Sequence, residues 1–306
     1  MSNHTEQDYV LGTNDDELRR LGLQHSVWRP AALTCWQQAG ITVGSRVLDI
    51  GAGPGYATVD LAELVGSTGE VAAVERSARF VQAGKAACQA RGLEHVRFYE
   101  LDLMTDSLPV TGFDAAWIRW VACFVSSPAT LLTKLAKSVR PGGLLIFHEY
   151  ADYATWRVAP RNELVEEFVK HVMESWRAAS GEPDVALALP SLLAECGFRI
   201  RAATPKVFCV RPCDHVWRWP AAFIDHNLDR LLELRRVDQD WVTAVRREFA
   251  AVESNPNSLM LTPMLLELIA ERCSDDASWR SPQTGKNHDR RHRPPSCKLD
   301  PIARDA

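Results

Sequence analysis

The stretch Arg46-Val47-Leu48-Asp49-Ile50-Gly51-Ala52-Gly53-Pro54-Gly55 constrains this chain more than any other, because a short apolar run ends in an acid and three glycines at alternate positions. Gly44 and Gly51 bound the run, which is too short for a helix, so it reads as a buried strand breaking into a tight turn. Residues 56–65 follow with apolar side chains at helical spacing, and Gly66 closes them. Strand, glycine turn and helix form the first half of a βαβ unit. Only glycine lets a ligand approach such a backbone closely.

The glycine spacing selects among ligands. The dinucleotide fingerprint G-x-G-x-x-G needs glycine at position 56, where the chain has Tyr56, and Pro54 removes a backbone N–H that a pyrophosphate cradle would use. The run resembles motif I of the class I S-adenosylmethionine (SAM)-dependent methyltransferases, hydrophobic-D-x-G-x-G-x-G, with Asp49, Gly51, Gly53 and Gly55 in the matching positions. That resemblance implies a SAM site along Asp49, Gly51, Ala52, Gly53 and Gly55. Two further acids extend it. Residues 70–75 form a second buried strand ending in Glu75, followed by Arg76, where an open α/β sheet meets a ribose diol. A third strand over 96–101 ends at Asp102-Leu103, where the resemblance implies an acid that accepts a hydrogen bond from the adenine amino group.

Composition narrows the partners. The 306 residues are 46% hydrophobic and 24% charged, enough to bury a sizeable core, and a net charge of −4 gives no long-range pull toward nucleic acid or anionic membrane. No run is long enough to span a membrane, and residues 1–6 lack the basic and apolar regions of a signal peptide, so a cytoplasmic protein is expected. The eight cysteines are scattered and read as reduced thiols; Cys209, Cys213 and His215 have loose metal-ligand spacing without a fourth ligand and read as packing residues, and no metal is expected. The implied partner is a small-molecule acceptor, with a homodimer left open.

Residues 1–40 look helical, with Asn14 as cap and Asp15, Asp16 and Glu17 suiting the helix dipole. Tyr9-Val10-Leu11-Gly12 and Arg20-Leu21-Gly22-Leu23-Gln24-His25 are similar to the Y-x-L-G…R-L-x-x-Q-H segment of small-molecule methyltransferases, where it folds over the cofactor. Tyr9, Gln24 and Trp28 are thereby candidate lid contacts. A helix is expected over 78–91, a fourth strand over 113–120, a helix over 128–139, a turn at Arg140-Pro141-Gly142-Gly143 and a fifth strand over 144–150. The fourth strand lacks the Asn/Asp-Pro-Pro-aromatic tetrapeptide of DNA amino-methylating enzymes. Arg119, Trp120, His148, Glu149, Tyr150 and Tyr153 lie at carboxyl ends of strands and are expected to face the substrate, Arg119 also touching the cofactor. His148, with its reference pKa near working pH, and Glu149 are the candidate bases for an acceptor that must lose a proton.

Beyond these lie expected helices over 162–179 and 190–196, an edge strand over 198–210 containing Pro205, and a helical stretch over 214–252 opened by Trp217-Arg218-Trp219-Pro220. Residues 264–272 have helix propensity, yet their place resembles the last strand of the family; 273–306 read as a disordered tail in which His288 and His292 are solvated. The expectation is an α/β, Rossmann-like seven-stranded methyltransferase sheet with helices on both faces and an added helical lid. Residues 1–40 are the cofactor lid, 41–213 and 260–272 the catalytic domain, and 214–259 a substrate lid carrying Trp217, Trp219 and Phe223. The function implied is SAM-dependent methyl transfer to an O, N, S or C atom of a small molecule. An NAD(P)-dependent oxidoreductase and a non-catalytic SAM-binding protein are the alternatives.

Overall fold

The computed structural model describes residues 15–274. Tyr9, Asn14 and the tail beyond Ser274, with His288 and His292, lie outside them. The chain runs α1 (Asp15–Gln38), β1 (Arg46–Ile50), α2 (Tyr56–Val65), β2 (Glu70–Glu75), α3 (Ala78–Gln89), β3 (Val96–Glu100), β4 (Phe113–Arg119), α4 (Pro128–Ser138) and β5 (Val139–Asp152). It continues through β6 (Arg157–Ala159), α5 (Glu163–Ala178), α6 (Leu189–Glu195), β7 (Phe198–Lys206), β8 (Cys209–Val210), α7 (Arg218–Glu233), α8 (Gln239–Ser254), β9 (Leu259–Leu261) and β10 (Met264–Arg272).

Seven strands form one sheet in the order β3-β2-β1-β4-β5-β10-β7, parallel except for β10, which is antiparallel to both neighbours. The order reverses beside β1, so a crevice opens at the carboxyl ends of β1 and β4. Alternation along the strands builds two cores. Val47, Val71, Ala115, Trp117 and Ile146 pack under α1 and α2, while Leu48, Ala72, Ala116, Ile118 and Phe147 face the opposite layer with α4 and α5.

Three expectations are corrected. The stretch 198–210 is not one strand: β7 edges the large sheet, whereas β8 joins β6 and β9 in a separate three-stranded sheet. Residues 140–143 are not a free turn before β5 but part of it. Phe113 pairs with Val139 and Ala115 with Leu144, so four residues bulge opposite Asp114, whose Oδ1 accepts from Arg140 Nε at 2.7 Å. Cys209 and Cys213 are exposed rather than packed.

Helix α1 is clamped by its aromatic residues. Trp28 is fully buried among Trp120, Phe208 and Trp219, with ring centroids at 5.7, 5.0 and 5.2 Å. Gly22 permits the approach of Tyr56, whose hydroxyl would lie 3.0 Å from a Cβ there and which donates to the Leu18 carbonyl. Trp28→Ala should therefore cost about 3–5 kcal/mol of unfolding free energy in a denaturant titration, the range for emptying a large aromatic site.

Candidate active site

The turn after β1 is shaped by close contacts on one side and open space on the other. Gly51 has φ +65°, and a Cβ there would lie 2.4 Å from Val121 Cγ2. Gly53, at φ +54°, has nothing within 4 Å of its Cβ position. It faces a cavity of about 800 Å³ outside the carboxyl ends of the parallel strands. Ala52 also lines this cavity, while Gly55, the cap of α2, does not; a Cβ on Gly55 would meet Gly84 Cα at 2.9 Å. Gly55 thus serves helix packing rather than the cavity surface.

Asp49, Glu75 and Asp102 line the same cavity. Asp49 accepts from the Thr58 hydroxyl at 2.6 Å, and burial pushes its carboxyl up to about 6 against the pull of Thr58 and Arg119. Glu75 receives the Gly53 N–H on Oε2 and the Ser77 N–H on Oε1, each at 2.9 Å, so it braces the glycine turn and the start of α3. Burial raises its pKa, with these backbone donors opposing the shift. The Arg76 N–H is a third backbone donor to this carboxylate, which leaves room for a further hydroxyl. Asp102 accepts from the Met104 N–H at 2.6 Å, and Arg76 and Leu103 stand beside these acids in the lining.

Arg119 ends β4 and forms part of the cavity lining, where it is half-buried. Its Nη2 donates to His25 Nδ1 at 3.1 Å, and Nη1 is buried without a hydrogen-bond partner. Burial lowers its pKa to about 10, opposed by the more distant Asp49 and Asp60. A cation so placed lacks a carboxylate in direct contact among the described residues. That vacancy in its bonding, the open face of Gly53 and the three strand-end acids fit a ligand with a carboxylate at one end and a ribose and base at the other, as SAM has. Gln24 lines the cavity too; its Oε1 accepts from Arg20 Nη1 at 2.9 Å and Trp219 Nε1 at 3.1 Å, which fixes the amide flip.

Beyond Arg119 the cavity continues past Trp120, held at φ +52°, to Phe124 and Val125, and to a wall of Ser175 and Ala178 from α5 with Arg230, Leu234 and Arg236 at the end of α7. This wall was not legible in the sequence, where nothing marks helix ends far apart in the chain as neighbours. The remaining expected substrate contacts lie elsewhere. His148, a candidate base, is fully buried outside the lining; its Nε2 donates to Glu267 at 2.8 Å and its ring packs against Trp117. Glu267 also pairs with Lys206 at 3.3 Å, and the Cys35 sulfur stands within 4.8 Å of a His148 ring nitrogen and a Glu267 carboxylate oxygen. The ammonium balances the Glu267 carboxylate in that cluster. Glu149, the other candidate base, is equally buried. Its Oε1 accepts the Val121 and Ala122 N–H groups, each at 2.8 Å, and its Oε2 that of Cys123 at 3.3 Å. Burial lifts its carboxyl to about 7 in spite of these donors. Tyr150 and Tyr153 are buried against Trp176 in tilted and edge-to-face contacts. Trp28 is core, as are Trp217, stacked on Phe249, Trp219, stacked on Trp120, and Phe223, against Trp156.

Two outcomes follow from this geometry. Gly53→Ala places a methyl group in the open cradle, so calorimetry should show SAM affinity reduced on the order of tenfold or more, with a stability loss of only about 1–2 kcal/mol from the left-handed backbone. Glu149→Ala orphans three backbone donors and should lower unfolding free energy by about 3 kcal/mol or more, read from the denaturation midpoint.

Comparison with known proteins agrees with this geometry. Residues 48–147 match the family described as a methyltransferase domain. The ubiquinone/menaquinone biosynthesis C-methyltransferase UbiE of Coxiella burnetii (strain RSA 331 / Henzerling II) is 26% identical over 199 residues, 60% of this chain and 76% of that protein. The demethylmenaquinone methyltransferase of Staphylococcus aureus (strain MRSA252) is 28% identical over 123 residues, 40% of this chain; the match spans about half of that relative, 49%. The YcgJ protein of Bacillus subtilis shares the fold with TM-score 0.51 at 17% identity, over 82% of this chain and 99% of that one. The methyltransferase-domain match, the glycine turn, the strand-end acids and the sheet order together support SAM-dependent methylation of a small molecule by this chain.

Proposed function

We propose that this protein moves the methyl group of SAM to a small acceptor with an apolar body, bound between Trp120, Phe124, Val125 and the α5–α7 wall. The observation that carries the reading is one continuous cavity with two chemistries. Acids and the glycine turn line one part; apolar side chains, with Arg230 and Arg236, line another. Arg230 is itself paired with Glu233 at 2.9 Å, so the cations at this wall suit a polar or anionic edge of the acceptor rather than a second buried charge.

Within this reading Arg119 and Gly53 hold the amino-acid part of the cofactor, Glu75 the ribose, and Asp102 with Leu103 the adenine. SAM supplies a methyl group on a positively charged sulfur. In an in-line displacement the S–CH3 bond would break as the bond to the acceptor forms, S-adenosylhomocysteine would leave and any acceptor proton would pass to solvent, so orientation and exclusion of water by these residues would carry the rate. Trp120 and Phe124 exclude water beside the acceptor, and Gln24 presents its amide N–H₂ to the cavity. His148 and Glu149 hold the frame and move no substrate proton. Residues 1–40 act as the cofactor lid and 214–259 as the acceptor lid on a catalytic domain of 41–213 and 260–272.

The relatives named for menaquinone and ubiquinone biosynthesis make a demethylated quinol a first acceptor to try. The oxidoreductase alternative has no support in the family match. Calorimetry with SAM and NAD separates the two, and incubation of metabolite mixtures with methyl-labelled SAM identifies the acceptor by mass gain. Binding of SAM with labelled product is expected. Leu234→Ala, an exposed apolar residue at the acceptor wall, should raise acceptor KM about 3–30-fold, the loss of an apolar contact that acceptor binding would bury, and leave SAM affinity within about twofold. Binding of NAD in preference to SAM would overturn the assignment.

A further inference from the structure

His25 sits at the junction of three elements. It is buried on α1 between Asp60 of α2 and Arg119 of β4, and its ring stacks on Tyr56 at 5.8 Å. Arg119 can only donate, so at 3.1 Å its Nη2 donates and His25 Nδ1 accepts. The ring proton is thereby placed on Nε2, which donates to Asp60 Oδ2 at 3.0 Å. The same carboxylate oxygen accepts from Arg29 Nε at 2.8 Å, so Asp60 is itself held. Burial lowers the pKa of His25, opposed by its bond to Asp60 and reinforced by Arg119 and Arg29, which keeps the ring neutral and Nδ1 an acceptor. The Arg119 guanidinium touches the faces of Trp117 and Trp120 at 5.7 and 5.3 Å. Those contacts leave its rotation in the plane unspecified. The bond to His25 supplies the direction.

Resting on the assignment of Arg119 to the cofactor carboxylate, we infer that His25 is a positioning residue: the Asp60–His25 pair aims the Arg119 guanidinium at the carboxylate of the bound cofactor and so selects ligands that carry one. The pair does not touch the ligand. Its effect is confined to the amino-acid end, because the ribose and adenine contacts are made by Glu75 and Asp102 on other strands.

Two ligands separate this role from a merely structural one. S-Adenosylhomocysteine has the carboxylate; 5′-methylthioadenosine has the same nucleoside and thioether without it. In the full-length protein, His25→Leu and Asp60→Asn should each weaken S-adenosylhomocysteine, the first on the order of tenfold or more and the second less, while 5′-methylthioadenosine stays within about twofold. His25→Asn offers an amide oxygen near the Nδ1 position and should recover most of the lost affinity for S-adenosylhomocysteine. Equal weakening of both ligands, or unchanged binding of S-adenosylhomocysteine in His25→Leu and Asp60→Asn, overturns the positioning role. Failure of the unmodified protein to bind either ligand overturns instead the cofactor assignment on which it rests.

Discussion

The capture of one short turn by Glu149 governs how the active side of this sheet is built. Three successive N–H groups, those of Val121, Ala122 and Cys123, converge on its carboxylate. Such a run of donors needs an acceptor, and β5 delivers one beside the end of β4. The turn so fixed then meets its neighbours closely. Val121 fills the space a side chain at position 51 would take, and the Cys123 carbonyl accepts from the Glu182 N–H just beyond α5. Glycine turn, β4 end and α5 are thus registered against one another through a single buried side chain. Trp120, immediately before the captured donors, takes the left-handed backbone that bulky residues avoid, and a well-anchored turn is what such strain requires.

The cofactor and acceptor parts of the cavity meet on adjacent residues of that strand end. Arg119 belongs to the charged part and Trp120 to the apolar part, so the boundary between the two chemistries falls on one peptide unit. The coverings are coupled in a similar way. Gln24 of α1 receives hydrogen bonds from Arg20 of its own helix and from Trp219 of α7, which lie far apart in the chain. Arg20 also forms a buried pair with Glu17 and lies 5.6 Å from the Phe223 ring. Glu17 thereby fixes the Arg20 side chain, and its reach to the Phe223 ring ties α1 to α7.

Much of the frame was legible in the sequence because it is local. The Asp49–Gly55 run, Glu75 and Asp102 each sit at the end of an apolar strand, and in a parallel sheet such ends converge whatever the rest of the chain does. Side-chain direction was not legible. His148 and Glu149 are neighbours on a strand buried on both faces, so no alternation of polar and apolar residues announces which way either points. Both turned out to face protein. The tryptophans of the 214–252 stretch misled for a related reason: large aromatic residues suit a pocket and a core equally, and only the neighbours, Gln24 and Phe249 among them, decide. The outer wall had no signal, since Ser175, Ala178, Leu234 and Arg236 are ordinary helix-end residues until tertiary packing brings them together. His25 lay inside a recognised motif, yet its bonds to Asp60 and Arg119 join residues that no spacing rule connects.

The position of β10 has a consequence for how the protein is made. In the large sheet β7 pairs only with β10, and β10 lies between it and β5. Its Glu267 also provides the acid for His148 on one neighbour and Lys206 on the other. During synthesis β7 emerges well before this partner, with β8, α7, α8 and β9 translated in between. Until residues 264–272 appear, the edges of β5 and β7 that they later join stand open as templates for wrong pairing. A ribosome stalled before position 264 would therefore hold a chain with its glycine turn already formed but its sheet unclosed. The parallel half can assemble as it is made, while completion of the sheet waits for the last described strand.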